Sequence, residues 1–530
     1  MLSKKDVLEL LAARFANDAH KSLSQLPLPS KLKDNYKAAN RIKQALENDE
    51  KIAIVGDYDV DGVVSSAVLS EFFADVGANA IVRIPNRFKD GYGLNEAIID
   101  ELADSNLIIT VDNGISANEA AEVCAARGIE LIVTDHHMPP AILPRAYAIV
   151  NPKQEDCPFP PVEICGAQVA WYLVGALKDV LGLKNYDMGK FLDLLALAII
   201  ADMMELRDMN RALVRAGLAR INESRRACFR AIRDFYGKEK FEFDDISFLI
   251  APLVNSAGRM DDATVSYRFL TEKKLEIANK LLYTIIDFNN SRKEKEKILF
   301  ESSIKDVREN DDIIVTWGES WHEGVIGIVA SRLAKRFKKP AIVFSVQGES
   351  AKGSARSVGK IDVLSLIASQ EALLEGYGGH KGAAGLVIKA ARLPEFREAI
   401  NAASVSNLNS ENGETEDVLG SLDPCAVDME FLGILERFEP YGQKNPRPVF
   451  KFENMRVAGT RTIGNDEAHL KLTLKFENDN RDVTLEGVFF NFDFRPHIGE
   501  RISLLASVTK NTFRGALSAQ LLVKEIYPQG

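Results

Sequence analysis

The chain has 530 residues and a mass of 58.6 kDa, and because a domain takes ~100 to 200 residues, about three or four domains are expected. Apolar residues make up 46% of the chain and charged residues 27%, with 35 Gly and 19 Pro, so collagenous, low-complexity and wholly disordered classes are excluded. The net charge of −10 argues against a protein that coats nucleic acid indiscriminately, although it allows a local basic channel.

The sequence contains no pattern for export or membrane insertion. The best candidate for a membrane span, residues 194–201, ends at Asp202, well short of the ~20 apolar residues that a span needs. Asp6 comes directly after Lys4 and Lys5, and no apolar stretch with a cleavage site follows. The five cysteines are scattered without a Cys-x-x-Cys pair, so we expect reduced thiols. We therefore expect a cytoplasmic protein with no membrane association.

The first half of the chain has the pattern of an α/β domain. Residues 46–150 alternate short β-branched runs with longer amphipathic stretches, which is typical of βαβ units on a parallel sheet. Three continuous apolar runs, Ile52–Val55, Leu107–Val111 and 131–134, predict strands that are covered on both faces. An acidic residue follows each of these strands closely.

The middle of the chain predicts a helical region and a second α/β domain. Residues 164–204 have a mostly helical pattern after a loop in 151–161. The charged, amphipathic segment 273–308 predicts a long helix that connects two domains, although an ordinary surface helix fits the same charges. Residues 313–388 again alternate strands and helices, with Gly-rich turns.

The C-terminal part of the chain has a different residue pattern from the two α/β regions. Residues 402–417 contain four acids, no base and no apolar period, which predicts a linker or mobile loop. Short alternating runs in 449–527 predict a small antiparallel barrel. Its phenylalanines could stack on nucleic-acid bases or pack in the core: Phe450, Phe452, Phe489, Phe490, Phe492 and Phe513.

Carboxylates are concentrated at the ends of the predicted strands. Asp57, Asp59 and Asp61 follow the first strand at alternate positions, at the edge where open α/β sheets bind ligands. Ionised carboxylates this close repel one another unless a cation neutralises them, and oxygen ligands suit Mg²⁺ or Mn²⁺. A solvated acidic turn or a helix N-cap is the alternative interpretation.

The next two strand ends add further metal-ligand types. Asp112 follows the second strand, and the run Asp135, His136 and His137 follows the third. Carboxylates and imidazoles collected at one sheet edge predict a dinuclear Mn²⁺ or Mg²⁺ site. Asp202 ends an apolar helix, and it would complete the cluster if it faces the strand ends; otherwise it is an exposed helix end.

Two such metals polarise a phosphoryl oxygen and lower the pKa of a water, so phosphoester hydrolysis is the chemistry that this cluster predicts. An anionic substrate also needs cationic and N–H partners, which two Gly-rich runs, 353–357 and 378–385, supply. Arg87 and Arg259 are further phosphate-binding candidates, with ordinary surface charges as the alternative.

The motifs resemble the DHH phosphoesterase superfamily, named for the triplet at 135–137, with a DHHA1 partner domain indicated by Gly378-Gly379-His380. Within it, the runs 90–94, 321–330 and 445–450 are similar to the RecJ family of single-strand-specific exonucleases.

The resemblance implies an α/β protein with five consecutive parts. These are a parallel-sheet DHH domain with an N-terminal helical segment in 1–270, a connecting helix in 271–310, a DHHA1 substrate-binding domain in 311–401, a linker in 402–440 and an OB-like nucleic-acid-binding β-barrel in 441–530.

The resemblance also implies 5′ to 3′ degradation of single-stranded DNA by two-metal catalysis with Mn²⁺ or Mg²⁺, in recombination and repair. Single-strand-binding protein and a repair helicase are the implied partners.

The implied metal ligands are Asp59, Asp61, Asp112, His136 and Asp202, with Asp57 counted among them as a nearby acid. The implied catalytic residues are Asp112, Asp135, His136 and His137, of which Asp135 orients the site and His137 touches the scissile phosphate. The implied substrate-binding residues are Arg87, Arg259, Ser354 and Arg356, together with His380 in the DHHA1 loop that faces the metals.

The chain departs from the family pattern at two places. Val55 stands where several relatives have His, which implies that fewer protein ligands hold one metal, and residues 442–446 differ from the family's Gly-x-Gly-Asn-Pro run. The main alternative function is a DHH phosphodiesterase for short oligonucleotides or cyclic dinucleotides, which would need no third domain. A catalytically dead DNA-binding scaffold has no reason to keep mutually repelling carboxylates, and a pyrophosphatase needs no barrel.

Overall fold

The computed structural model of the chain describes residues 1–359, 361–404, 418–464, 468–478, 481–490, 492, 494–513 and 516–528. The chain divides into two compact units. The larger unit comprises Leu28–Asp202 and Arg220–Gly413. The barrel unit comprises Met1–Pro27, Met203–Ala219 and Glu414–Gly530.

The α-helices, in chain order, are α1 (Lys4–Ala13), α2 (Asn35–Glu47), α3 (Val60–Asp75), α4 (Glu96–Glu101), α5 (Asn118–Ala126), α6 (Gly166–Val180), α7 (Leu192–Ala201), α8 (Asp208–Glu223), α9 (Ala227–Tyr236), α10 (Phe243–Asp245), α11 (Ala251–Met260), α12 (Thr264–Thr271), α13 (Leu275–Lys305), α14 (Glu323–Phe337), α15 (Val363–Ala368), α16 (Leu393–Ser404) and α17 (Met429–Glu436). The strands are β1 (Ile52–Val55), β2 (Ala80–Arg83), β3 (Leu107–Val111), β4 (Glu130–Thr134), β5 (Ala148–Val150), β6 (Ile314–Glu319), β7 (Ala341–Gln347), β8 (Ser350–Arg356), β9 (Leu374–His380), β10 (Ala383–Lys389), β11 (Val418–Ser421), β12 (Val449–Ile463), β13 (His469–Asn478), β14 (Arg481–Phe489), β15 (Arg501–Phe513) and β16 (Ala516–Pro528).

The first sheet of the larger unit is parallel throughout, in the order β2-β1-β3-β4-β5. Every residue of β1 and β3 is buried, as their continuous apolar sequences predict for strands with helices on both faces. Because the strands are parallel, their carboxyl ends lie at one edge, where α3 begins directly after β1. This edge positions the candidate site.

The second sheet of the larger unit is mixed. Its order is β6-β7-β8-β10-β9, with β6 and β7 parallel and the remaining pairs antiparallel. The predicted long helix in 273–308 is α13, which has 31 residues and packs against α9, α11 and α14. One face of α13 is therefore buried against other helices, whereas its charged sequence was also compatible with an ordinary surface helix.

The barrel unit contains a closed barrel in the order β12-β13-β14-β16-β15, since β12 also pairs with β15. The predicted antiparallel barrel is wrong in one pairing, because β14 and β16 run parallel. The connectivity requires this: β15 runs antiparallel to β12, and β16 turns back from β15, so β16 has the direction of β14. A sixth strand, β11, pairs in parallel with β12.

The N-terminal helix belongs to the barrel unit and not to the predicted DHH part in 1–270. Val7 and Leu11 of α1 lie in the same core as Phe431 and the barrel strands, and Lys4 Nζ lies 2.6 Å from Asp428 Oδ2. The core also holds residues of β11 and α17, which the sequence analysis placed in a linker at 402–440. The apolar faces of α1 and α17 bury each other here, a pairing between distant segments that local sequence does not reveal. Residues 405–417 of the predicted linker lie outside the described residues.

No described helix is long and apolar enough to cross a membrane.

Candidate active site

The predicted acids and histidines lie in or beside the edge where β1, β3 and β4 end. Asp57, Asp61, Asp112 and His136 are all at most 5% exposed, and Asp202 caps the C-terminus of α7 next to them. Their donor atoms form three groups whose members lie within 4.8 Å of one another: Asp61, His136 and Asp202; Asp57, Asp59 and Asp112; and Asp112, His136 and His137. The structure therefore brings together all six acids and imidazoles proposed as metal ligands.

His136 faces three carboxylates with a single ring nitrogen. Its Nε2 lies 3.2 Å from Asp112 Oδ1, 3.6 Å from Asp202 Oδ2 and 3.7 Å from Asp61 Oδ2. One nitrogen can donate at most one hydrogen, so this geometry does not satisfy three acceptors by hydrogen bonding. It is instead the arrangement of ligands around a cation.

Asp112 belongs to both the His136 cluster and the group with Asp57 and Asp59. Its φ of 61° lies in the left-handed region, which aspartate tolerates better than most residues. The neighbouring Asn113 side chain holds this turn by donating to the carbonyls of Val55, at 3.0 Å, and Val111, at 2.9 Å. One carboxylate is thus fixed between two adjacent ligand groups.

Asp61 is oriented by the start of α6. Its Oδ2 accepts a hydrogen bond from the Gly166 N–H at 2.5 Å, and its Oδ1 accepts one from the Ala167 N–H at 2.9 Å. The positive end of the helix dipole also favours a carboxylate here. Residue 166 must also be glycine to lie beside Asp112, because a Cβ on it would lie 2.6 Å from the Asp112 Cβ.

Asp135 serves a different purpose from the other acids. Its Oδ1 accepts the backbone N–H groups of His136 and His137 and lies 2.7 Å from the His137 Nδ1, while Oδ2 accepts the Ile115 N–H. Burial raises the pKa of Asp135, but the hydrogen bond and charge of His137 outweigh it, so the pKa is lowered overall. With both oxygens engaged, Asp135 orients His137.

The other buried carboxyls resist ionisation. Burial, followed by repulsion from neighbouring carboxylates, raises the pKa of Asp57, Asp112 and Asp202 well above the usual range. Burial and the charge of Asp59 raise the pKa of Asp61 to about 6. Burial lowers the pKa of His136 to about 3, so its imidazole is neutral and able to ligate.

A divalent cation fits this donor set. Asp57 Oδ1, Asp112 Oδ1, Asp202 Oδ2 and His136 Nε2 are buried and have no hydrogen-bond partner within the described part of the chain. Unpartnered buried carboxylate oxygens are costly unless something else neutralises them. Oxygen ligands with a minority of imidazole nitrogen suit Mn²⁺ or Mg²⁺.

The predicted phosphate-binding residues also come together in the larger unit, as a cationic cluster of Arg87, Arg259 and Arg356. Arg87 stacks on the Tyr58 ring at 4.1 Å, and Arg356 Nη1 donates to Ser354 Oγ at 2.9 Å. Burial, then the charges of Arg87 and other arginines, lower the pKa of Arg259 to about 10. Three partly buried cations that repel one another indicate a site for an anion.

His380 lies on β9 of the second sheet. Partial burial and the charge of His137 lower the pKa of His380, so the two imidazoles are close enough to interact. His380 and His137 both belong to the larger unit.

Three site residues were not singled out from the sequence. Tyr58 supports Arg87, and Tyr92 packs edge-on against Tyr58 and His137, with ring centroids 6.1 and 6.3 Å apart. Arg292 on α13 repels Arg259 and is held by Glu296 at 2.9 Å. The two tyrosines lie within motif runs and could have been noticed. Arg292 lies in a charged run that has the composition of a surface helix.

Of the two alternatives for the barrel phenylalanines, base stacking and core packing, the structure shows core packing for most of the described side chains. Phe450, Phe452 and Phe489 are at most 6% exposed and lie in the barrel core, and Phe492 packs against that core. Phe490 alone among the described side chains of that set is well exposed, at 52%. The side chain of Phe513 lies outside the described residues.

Comparison with known proteins identifies the family. Residues 51–199 match the DHH family, N-terminal domain, residues 310–405 the DHHA1 domain and residues 420–525 the RecJ OB domain. Proteins named single-stranded-DNA-specific exonuclease RecJ are similar over most of the chain. The Bacillus subtilis relative is 34% identical over 94% of this chain and 64% of its own length. The Dickeya dadantii relative is 33% identical over 93% of this chain and 90% of its own length. The Escherichia coli relative is 32% identical over 97% of this chain and 94% of its own length.

Solved structures of RecJ proteins are also similar to this chain. The Thermus thermophilus RecJ structure in complex with Mn²⁺ matches with a TM-score of 0.83 and 28% identity, covering 98% of this chain and 75% of that one. The structure titled exonuclease RecJ bound to manganese matches with a TM-score of 0.63 and 33% identity, covering 71% of this chain and 95% of that one. The resemblance drawn from the sequence motifs is confirmed: the chain belongs to the RecJ family of DHH phosphoesterases.

Proposed function

We propose that the protein is a single-stranded-DNA-specific exonuclease that hydrolyses phosphodiester bonds in the 5′ to 3′ direction with two Mn²⁺ or Mg²⁺ ions. The observation that carries this proposal is the pair of ligand groups that share Asp112, in the same unit as the partly buried cationic cluster. The names of the relatives and the metal-bound Thermus thermophilus structures support it. The barrel that matches the RecJ OB domain disfavours the alternative phosphodiesterase for short oligonucleotides or cyclic dinucleotides.

The proposed metal ligands are those whose unpartnered or clustered atoms face one another: Asp57, Asp59, Asp61, Asp112, His136 and Asp202. Bound divalent cations would supply a water of lowered pKa and polarise the phosphoryl oxygen. The protein's part is to keep His136 neutral through burial and to hold Asp61 by two backbone N–H groups.

His137 is proposed to contact the scissile phosphate as a hydrogen-bond donor. Although burial lowers the pKa of His137, the hydrogen bond and charge of Asp135 raise it above the usual value. The Asp135 carboxylate accepts the His137 Nδ1–H at 2.7 Å, which leaves Nε2 to face the substrate. Nε2 also carries a hydrogen, and can donate it, when the ring is the imidazolium. Asp135 is therefore a positioning residue that also favours the imidazolium form.

Arg87, Arg259 and Arg356, with Ser354 and His380, are proposed to bind the phosphates of the strand. Arginine suits this role because its planar fork donates two hydrogen bonds to one phosphate. The ring of Tyr58 restrains the Arg87 guanidinium before substrate arrives, which reduces the entropy lost on binding.

Of the five predicted parts, we retain three as a proposal: the connecting helix in 271–310, the DHHA1 part in 311–401 and the barrel in 441–530. The boundaries of the parts predicted at 1–270 and 402–440 are not retained.

We further propose action in recombination and repair in the cytoplasm, with single-strand-binding protein and a repair helicase as partners. Co-sedimentation of the purified chain with each purified partner would test those contacts.

The central test compares the unaltered chain with Asp112→Asn on an oligonucleotide labelled at either end, in Mn²⁺. Asparagine tolerates the left-handed backbone of residue 112, so folding should persist. We expect release of the 5′ label as mononucleotide, reduced at least ~100-fold by the substitution because both ligand groups lose a member. Initial release of the 3′ label would contradict the polarity. Cleavage limited to very short oligonucleotides would favour the alternative phosphodiesterase, and binding without cleavage a scaffold.

A further inference from the structure

A cavity of about 620 Å³ lies in the larger unit, lined by Phe88, Glu319, Trp321, His322 and Gln347 among others. Its volume is within the ~300 to 1,000 Å³ range of small-ligand sites. Three of its lining residues, Trp321, His322 and Glu323, begin a motif that the proposed chemistry leaves without a role.

The cavity adjoins the cationic cluster at two points. Phe88 directly follows Arg87 along the chain. On the other side, Arg259 Nη1 donates to the Gly324 carbonyl at 3.3 Å, two residues after His322. The cavity therefore lies next to the cluster, since lining residues are bonded to Arg87 along the chain or lie within two residues of the carbonyl that Arg259 contacts.

The lining combines aromatic surface with hydrogen-bonding groups. Phe88 packs edge-on against His322, with ring centroids 5.3 Å apart, and Trp321 lines the same cavity. The His322 Nδ1 accepts the Gly324 N–H at 3.1 Å, so the ring's proton is on Nε2, which is a donor.

Acceptors are also available at the cavity. The Gln347 amide donates through Nε2 to Glu323 at 2.8 Å, which leaves its carbonyl oxygen as an acceptor, and Glu319 adds an exposed carboxylate. A carboxylate disfavours a second phosphate here, whereas aromatic faces with mixed donors and acceptors suit a flat heterocycle.

We propose that this cavity is a nucleobase subsite, which holds the base of a nucleotide whose phosphate lies on the cationic cluster. The inference rests on the proposed function, since it assumes that single-stranded DNA is the ligand.

The test is equilibrium binding of 5′-phosphorylated single-stranded oligonucleotides in EDTA, which prevents cleavage, read by fluorescence anisotropy. Each oligonucleotide carries one abasic residue, at the first, second, third or a distant position from the 5′ end. The unaltered chain is compared with Trp321→Ala and with Phe88→Ala, which removes the facing aromatic should the first variant not fold. Phe248→Ala is the matched control, because Phe248 is an aromatic side chain 79% exposed and is not among the residues that line the cavity.

We expect one of the first three abasic positions to weaken binding to the unaltered chain about tenfold, within the range of base–aromatic stacking. In Trp321→Ala and Phe88→Ala that oligonucleotide should bind as well as its complete counterpart, while Phe248→Ala should keep the tenfold difference. An abasic effect that is the same in the unaltered chain and both cavity variants overturns the subsite and leaves the exonuclease proposal standing. Failure of the unaltered chain to bind any strand overturns both.

Discussion

Lowering the pH from 8 to 5 should weaken Mn²⁺ binding by about tenfold through Asp61 alone. A carboxyl must lose its proton before it ligates a metal. Burial and the neighbouring Asp59 charge raise the pKa of Asp61 to about 6. The apparent dissociation constant rises by the factor one plus the ratio of protonated to ionised Asp61, which is close to 1 at pH 8 and roughly 11 at pH 5.

The direction of this effect follows from the sign of the shift. A raised pKa means that the folded, metal-free protein binds the proton more tightly than the unfolded chain does, so its stability falls as the pH rises from ~4 through the folded value. A bound metal ion offsets this loss of stability, because it neutralises the ionised carboxylate. The stabilisation of the fold by the metal should therefore increase as the pH rises from ~4 through the folded pKa of Asp61. His136 does not compete, because burial lowers its pKa to about 3.

Isothermal titration calorimetry with Mn²⁺ at several pH values measures the change directly. Asp112→Asn provides the control, because it removes a carboxylate from the two groups that contain Asp112. The carboxyls of Asp57, Asp112 and Asp202 also have raised pKa values, so they can only steepen the dependence. An affinity that is unchanged between pH 8 and pH 5 would refute the assignment of Asp61 as a ligand.

Three further substitutions test the packing and the barrel surface. Gly324→Ala should destabilise the fold by about 1–3 kcal/mol, because its Cβ would lie 1.8 Å from a backbone oxygen, whereas Gly376→Ala, which meets nothing within 4 Å, should leave the melting temperature nearly unchanged. Phe450→Ala should cost about 3–5 kcal/mol in denaturant unfolding, since the ring is fully buried in the barrel core. Phe490→Ala, at a ring 52% exposed, should change stability by less than about 0.5 kcal/mol but lower single-stranded DNA affinity about fivefold; equal binding by this variant would exclude Phe490 as a stacking platform.

The strand-end acids were predictable because the relevant pattern is local. A continuous apolar run that ends in an acid specifies both a buried parallel strand and a carboxylate at its carboxyl end, as β1 with Asp57 and β3 with Asp112 illustrate. Parallel pairing then places such ends at one edge. The motifs at these ends, together with Asp202, were sufficient to identify the superfamily and to select the residues that now lie within ligand distance.

The membership of the barrel unit was not predictable in this way. The α1 helix and the α17 helix share a core although more than 400 residues separate Lys4 from Asp428 in the sequence. An amphipathic helix shows that it has a face to bury, but not which partner covers it. The parallel pairing of β14 with β16 likewise depends on the path of the whole barrel.

The sequence by itself determined the family, the two α/β parts, the barrel and the acids and imidazoles that cluster at the strand ends, because each corresponds to a short contiguous pattern. Only the tertiary structure decided that Asp112 belongs to two ligand groups, that Arg292 stands near Arg259, and that Phe450 is buried while Phe490 is exposed. These outcomes depend on distances between segments that are remote along the chain. Packing sets such distances, and no local pattern of residues encodes them.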